Sequence, residues 1–244
     1  MLNKFAILSL LLLSTLSLNA QYTLRSKKTE IPRVVLIYSE IIEISSIQYA
    51  KLMSEPMSSS NHTMLRNKLL KQVKAGETKL ISNHTITSYS HDRVTSESIK
   101  ELIYPTEYEP AEIYPTTNEE IKTKGGQIVL PPNATAFESR NLGTTLDVEP
   151  ILSFEPKLRI VDLTVRPETV KLTGYNILSS WDTELAKVNV EMPNIYTMQL
   201  NTAIITYDNQ FNLVGTYSPE TNGETDESRK LLHFVRASIM NVKK

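Results

Sequence analysis

The chain has 244 residues, with 26 basic and 27 acidic side chains, four histidines and no cysteine. A net charge of -1 argues against a nucleic-acid partner, which calls for a basic surface. The lack of cysteine excludes a disulfide framework, a thiolate metal site and the lipidated cysteine of a bacterial lipoprotein.

Lys4, a largely apolar run over residues 5–13 and small residues up to Ala20 have the form of a secretory signal peptide, with cleavage expected after Ala20. Removing it takes one of the 26 basic residues and leaves 25 against 27. No later stretch reaches the roughly 18 apolar residues of a membrane helix, so the mature chain is expected to be soluble, peripheral or a β-barrel component. Residues 21–32 form a short lead. One domain is expected over residues 33–244, large enough to bury a core.

In chain order, "RVVLIYSEIIEI" (33–44) is rich in β-branched residues and predicts a long strand. Residues 53–60 are turn-rich. Asn61 is placed to cap a helix whose apolar positions Met64, Leu65, Leu69, Leu70 and Val73 recur at helical spacing until Gly76 stops it. Residues 79–90 and 93–104 read as a hairpin around His91 and Asp92. Residues 105–132, with five prolines and Gly125-Gly126, read as a long exposed loop.

In "NLGTTLDVEPIL" (141–152), apolar and polar residues alternate strictly, and "LRIVDLTV" (158–165) alternates again, so the two predict an antiparallel pair. Pro167, Gly174 and Trp181 suggest an irregular connection before a strand near 187–191. "IYTMQLNTAIITYDNQFNLVGTY" then reads as strand, turn at 208–210, strand, and "LLHFVRASIM" is the last strand. The fold class that follows is mainly β, an antiparallel meander of long hairpins with one or two short helices.

With the strands in this order the chain resembles the secretin domain, the homology region of bacterial outer-membrane channels of type II and type III secretion and type IV pili. "RVVLIYSEIIEI" is similar to the family's opening strand "V-L-V-E-A-x-I-V-E-V", with Glu40 and Glu43 near its acidic positions. "LLKQVKAGETKLISNHTITSYSHDRVTSES" is similar to its helix, its "L-S-x-P-x-V-x-T" strand and a "G-Q-x-A" turn. "FESRNLGTTLDVEPIL" resembles "Y-R-D-V-G-I-T-L-x-V-x-P", followed by "LRIVDLTVRPETV" as the partner strand. "QLNTAIITYDNQFNLVG" resembles "x-V-N-T-x-V-x-V-x-D-G-Q-T-V-V-L-G-G", and "LLHFVRASIM" the terminal "L-L-I-F-V-T-P-x-I-V". "ELIYPTEYEP" and "NATAFESRN" resemble a divergent branch of Verrucomicrobia type.

The resemblance implies an exported subunit in the outer membrane or periplasm of a Gram-negative-type bacterium, joined to copies of itself by strand pairing. It implies partners among secretion-system or envelope proteins, possible outer-membrane contact, and no cofactor, nucleic acid or small-molecule substrate. The residues expected to carry assembly are Asn141, Gly143, Thr145 and Pro150, with Asn201, Asp208 and Gly215 from the second motif.

The chain also departs from the family. Only residues 21–32 stand where small ring-forming modules are usual, the proline of "L-S-x-P" is His84, the turn glycine is His91, and the glycine after Gly215 is Thr216. "YSPETNGETDESRK" (217–230) replaces an apolar membrane-lip segment, and its carboxylates make deep insertion costly. A periplasmic accessory or binding module that keeps the fold without a pore is therefore the alternative expectation.

His62, His84, His91 and His233 lack ligand spacing and read as structural or surface residues. Ser179 and Ser180 lack the glycines of a nucleophile elbow, and the carboxylate-rich strands read as solvent-facing alternation, so no enzyme is expected. Gly143 permits a bulge or a close backbone approach, or marks an ordinary strand boundary, and Pro150 is expected to end its strand or sit at an edge. Tyr104, Tyr108 and Tyr114 read as scattered exposed tyrosines or as an interfacial face. The N-x-T sequons at Asn61, Asn83 and Asn133 are taken as coincidental.

Overall fold

The computed structural model describes residues 32–55, 61–115, 127–153, 155, 157–182, 187–221 and 224–242. The expected signal peptide (1–20) lies outside them. The chain divides into residues 34–240 and a second unit made of residues 1–33 and 241–244. Within the second unit, the Val242 amide donates to the Pro32 carbonyl at 2.8 Å.

The larger unit is built almost wholly of antiparallel strands. In order, the elements are β1 (Arg33–Ser45), α1 (Ser46–Ser54), α2 (Thr63–Ala75), β2 (Lys79–Tyr89), β3 (Val94–Glu109), β4 (Glu112–Pro115), β5 (Gln127–Leu130), β6 (Asn133–Leu152) and β7 (Ile160–Asp182). There follow β8 (Lys187–Gln199), β9 (Thr202–Tyr207), β10 (Phe211–Tyr217), the short β11 (Glu220–Thr221) and β12 (Glu224–Thr225), and β13 (Arg229–Asn241).

Two sheets dominate. One has the order β10-β13-β1-β2; the other has the order β3-β6-β7-β8, with β9 also on β7. β1 and β13 run antiparallel, since the Ser46 amide donates to Ser228 at 2.8 Å while Arg236, further along β13, lies over Tyr38, earlier on β1.

Side-chain alternation places the layers. Val35 and Ile37 of β1, with Val235, Ala237 and Ile239 of β13, meet Leu146, Val148 and Leu152 of β6 and Val161, Leu163 and Val165 of β7. From the opposite side of the first sheet, Ile42, Ile44, Leu232 and Phe234 pack on Leu52 of α1 and Leu69 of α2. A sheet covered on both faces needs near-continuous apolar strands, which explains "RVVLIYSEIIEI" and "LLHFVRASIM". β6 and β7 are covered on one face near the core, and so they alternate. Leu163 is fully buried; Leu163→Ala would cost about 2–5 kcal/mol.

α2 and its stop at Gly76 (φ +78°) match the sequence reading, but the N-cap is His62. Asn61 instead accepts the Thr63 amide at 3.0 Å. α1 was not expected from the sequence, although Ser45 and Gln48 form a capping box that could have announced it.

Four expectations are corrected. β2 and β3 do not form a hairpin: β2 pairs with β1 and β3 with β6. The chain turns between the sheets at His91 (φ +70°), whose amide donates to the Pro150 carbonyl at 2.8 Å. The stretch 105–132 is not one loop, because β3 continues through Pro105 to Glu109 and β4 pairs with β5, while residues 116–126 lie outside the described residues. Proline is tolerated there because β3 is an edge strand whose register shifts just after Pro105.

The third correction is β7, which runs unbroken through positions 167, 174 and 181. On its outer side β8 ends opposite Glu168 and β9 starts opposite Val165, so Pro167 occupies the gap between two ladders. Gly174 absorbs a register shift. Finally, Glu40 does not face solvent: it is 1% exposed, held by Arg66 of α2 at 2.5 Å and by the Tyr38 hydroxyl at 2.9 Å.

Candidate assembly surface

Beyond the shared core, β3, the first half of β6, the second half of β7 and β8 continue as a four-stranded slab with long ladders between neighbours. Ile103, Phe137, Tyr175, Ile177 and Leu178 are exposed on it. Among the described residues no ladder occupies the outer edge of β3 or of β8. The slab coils enough to bring some β3 and β8 Cα atoms within 8 Å, without hydrogen-bonded pairing.

Gly143 sits in the middle of this slab, opposite Ile99 on one side and Val170 on the other. Its φ is +132°, and a Cβ there would lie 2.1 Å from the Ser98 carbonyl oxygen and 2.9 Å from Ile99 Cα. This is a close backbone approach, one of the readings the sequence left open. Asn141, Gly143 and Thr145 line one shallow concavity of about 350 Å³ with Glu97, Arg140 and Glu168. Arg140 and Glu168 stand 3.6 Å apart across it.

Nearer the core, Asp147 of β6 binds Arg93 at 2.6 Å and Arg166 of β7 at 3.3 Å. The Arg93 hydrogen bonds, ahead of those from Arg166, hold its carboxyl below the usual aspartate range. Pro150 is buried and does not end β6, which continues to Leu152. Its carbonyl faces the 90–93 turn, beyond the start of β3, so the missing N–H interrupts no ladder.

The second group lies elsewhere. Asp208 accepts from Arg159 at 2.5 Å and from the Ile239 amide at 2.6 Å, and the neighbouring Asn209 (φ +62°) donates its amide to Ala237 at 2.7 Å. The 208–210 turn therefore joins the start of β7 to β13 and links the two sheets. Gly215 lies at a register shift opposite His233, where a Cβ would come 3.1 Å from the Leu200 side chain. Asn201 is exposed between β8 and β9. Thus the structure unites Asn141, Gly143 and Thr145, places Pro150 further along β6, and separates Asn201, Asp208 and Gly215 from them.

The polar stretch 217–230 holds the short β11·β12 pairing. Ser228 and then Arg229 keep the Asp226 carboxyl down at about 2, and Arg229 also reaches Glu43 at 3.1 Å. These bonds fold the segment back on its base. Arg93, Arg159, Arg166 and Leu200, unremarked in the sequence, prove central; only Arg166, opposite Asp147 across the predicted pair, carried an available signal.

The histidines take structural positions. The His62 amide donates to Phe211, and His62 Nδ1 accepts the Leu213 amide at 3.2 Å, fixing α2 to β10. His233 is 1% exposed with Nε2 2.6 Å from Ser39 Oγ, and burial, then the nearby His84, lowers its pKa to about 4. Ser180 lies in extended β7 and donates to Asn189 at 3.0 Å. No cluster of three or more metal-ligating side chains occurs among the described residues. None of their helices is long and apolar enough to cross a membrane, which leaves crossing by strands open.

No family model matches the sequence, and no curated protein matches it. Among solved structures the chain is similar to GspD, the type II secretion system secretin of E. coli K12, with a TM-score of 0.43 and 12% identity over 92% of this chain and 54% of that one. It is similar to Aeromonas hydrophila ExeD, with a TM-score of 0.42 and 10% identity over 93% and 52%. The Salmonella SPI-1 type III secretion injectisome secretin InvG gives 0.38 and 10% over 87% and 63%. The chain spans about half the length of GspD and ExeD.

Proposed function

We propose that this chain is a secretin-like subunit of an outer-membrane protein secretion channel of the type II or type III kind, assembled by strand pairing between identical copies. The observation that carries this reading is the slab β3-β6-β7-β8, with each strand antiparallel to the next and, among the described residues, both edges without a ladder. Four is an even number. The β8 of one copy therefore runs antiparallel to the β3 of the next, and head-to-tail repetition can close into a ring. Closure removes the unpaired edge groups that an isolated slab exposes.

The sheet β10-β13-β1-β2 has the same parity and, among the described residues, edges at β2 and β10 without a ladder. The 90–93 turn joins β2 to β3 and the 208–210 turn joins β9 to β10, so the two sheets can extend together. In this reading Asn141, Gly143 and Thr145 shape the slab, and Pro150, Asn201, Asp208 and Gly215 set the frame behind it. Export follows from the N-terminal pattern, and the partners are further copies and envelope proteins. The chemistry is structural rather than catalytic.

Fractionation of the host envelope, with electron microscopy of the detergent-extracted tagged protein, tests the reading. Rings and a heat-resistant multimer in the outer-membrane fraction are expected. A soluble periplasmic monomer would overturn it in favour of a second reading, a pore-less accessory or binding module. The polar, tied-back 217–230 segment and the close approach of β3 and β8 within one chain favour that alternative.

A further inference from the structure

The two helices carry Lys51, Arg66, Lys68, Lys71 and Lys74 and no aspartate or glutamate, within a chain of net charge -1. Arg66 turns inward to Glu40. The four lysines stay outside, and among the described residues none of them makes an ion pair. On α2, Leu65, Leu69 and Val73 pack on the sheet side, while Met64, Lys68 and Lys71 recur at helical spacing along the opposite stripe, with Lys74 at its border. Met64 is 88% exposed. On α1, Ile47 and Lys51 share a face four residues apart, and Ile47 is 84% exposed.

Both helices therefore present positive charge and protruding aliphatic groups on their outward sides, with Glu55 and Glu77 confined to the far ends. The core does not require Ile47 or Met64, because Leu52 and Leu69 already fill it. A protein partner suits this surface poorly: lysine is depleted from protein interface centres, which favour aromatic anchors. An anionic lipid surface suits both properties at once, since headgroups attract lysines and the acyl boundary takes shallow aliphatic side chains.

We propose that the outward face of α1 and α2 docks on an anionic lipid surface. The contact is independent of strand pairing between copies and uses residues remote from the slab.

The test is sedimentation of the mature chain with phosphatidylcholine vesicles, with and without phosphatidylglycerol. Binding at least about tenfold stronger to the anionic vesicles is expected, reversed by high salt. Lys68→Gln, Lys71→Gln and Lys74→Gln together should abolish that preference while circular dichroism and thermal melting stay unchanged. Ile47→Ser with Met64→Ser should weaken binding without altering its salt dependence. Equal binding to both vesicle types, no binding, or wild-type binding by the folded triple variant would overturn the proposal, including in favour of a soluble acidic partner. Retention through high salt and alkaline washing would also overturn it, because that is strand insertion rather than docking.

Discussion

Arg66 grips the buried carboxylate of Glu40 with two guanidinium nitrogens, at 2.5 and 2.9 Å, and so fastens α2 to β1. The same guanidinium lies 4.5 Å from the centre of the Phe211 ring, with Arg236 at 4.9 Å from that ring. Arg66→Ala leaves a charge in the interior without its counterion, and a loss of about 3–5 kcal/mol in urea unfolding is expected. Replacing both partners together, Glu40→Leu with Arg66→Met, should restore most of it. A loss as small as that of a surface pair, under about 1 kcal/mol, would show that the contact contributes little.

Gly143 and Gly76 make a matched comparison. Gly143→Ala drives a methyl group into the β3 backbone, whereas at Gly76 nothing lies within 4 Å of the position a Cβ would take. The first substitution should cost more than about 3 kcal/mol and speed amide exchange across β3. The second should cost only about 1–2 kcal/mol, the penalty of a left-handed backbone. Similar melting temperatures for the two variants would contradict the close approach.

His233 sets a pH dependence. Its folded pKa, about 4, lies below the ordinary value of 6.5, so between these limits the unfolded chain binds the extra proton. The stability it confers is complete above pH 6.5 and is lost as pH falls toward 4, by up to about 3 kcal/mol. His233→Asn should flatten the unfolding free energy over this window. Asp147, held low chiefly by Arg93, acts in a more acidic range and is separable by its own substitution.

Asp208 ties a turn to two other elements. Asp208→Ala should cost about 1–2 kcal/mol, limited by the half exposure of Arg159, and should speed exchange of the Ile239 amide. Asp208→Asn keeps an oxygen able to accept that amide and should recover about half of the loss. Unchanged exchange at Ile239 would remove the turn from the joint between sheets.

The existence of strands was more legible than their partners. Alternation in 144–152 and 158–165 gave both the strands and their pairing, because one buried face and a short connection leave little choice. Residues 79–90 and 93–104 are rich in β-branched and hydroxyl residues and read as strands just as well, yet they pair with β1 and β6 respectively. Periodicity states which side chains share a face and leaves the neighbouring strand undetermined. Pro105 and Pro167 looked like breaks, but each occupies a place where its missing N–H has no ladder to serve.

Of the local features, the close backbone approach at Gly143 and the turn at 208–210 were readable from residue type and setting. The burial of Glu40 and His233 was hidden, because their partners Arg66 and Ser39 come from elsewhere in the chain. The separation of the two motif groups was equally hidden, since motif order along the chain says nothing about distance across two sheets.

The pairing of β1 with β13 has a consequence for biogenesis. Ser39 and His233, in contact, are 194 positions apart in sequence. The central sheet therefore cannot form until the last strand has been made, and closing so long a loop slows folding. Until then β1 presents a β-branched, nearly continuous apolar edge to its surroundings. A chain with this arrangement stays prone to aggregation until its last strand arrives, so its refolding yield should rise when a holding chaperone is supplied.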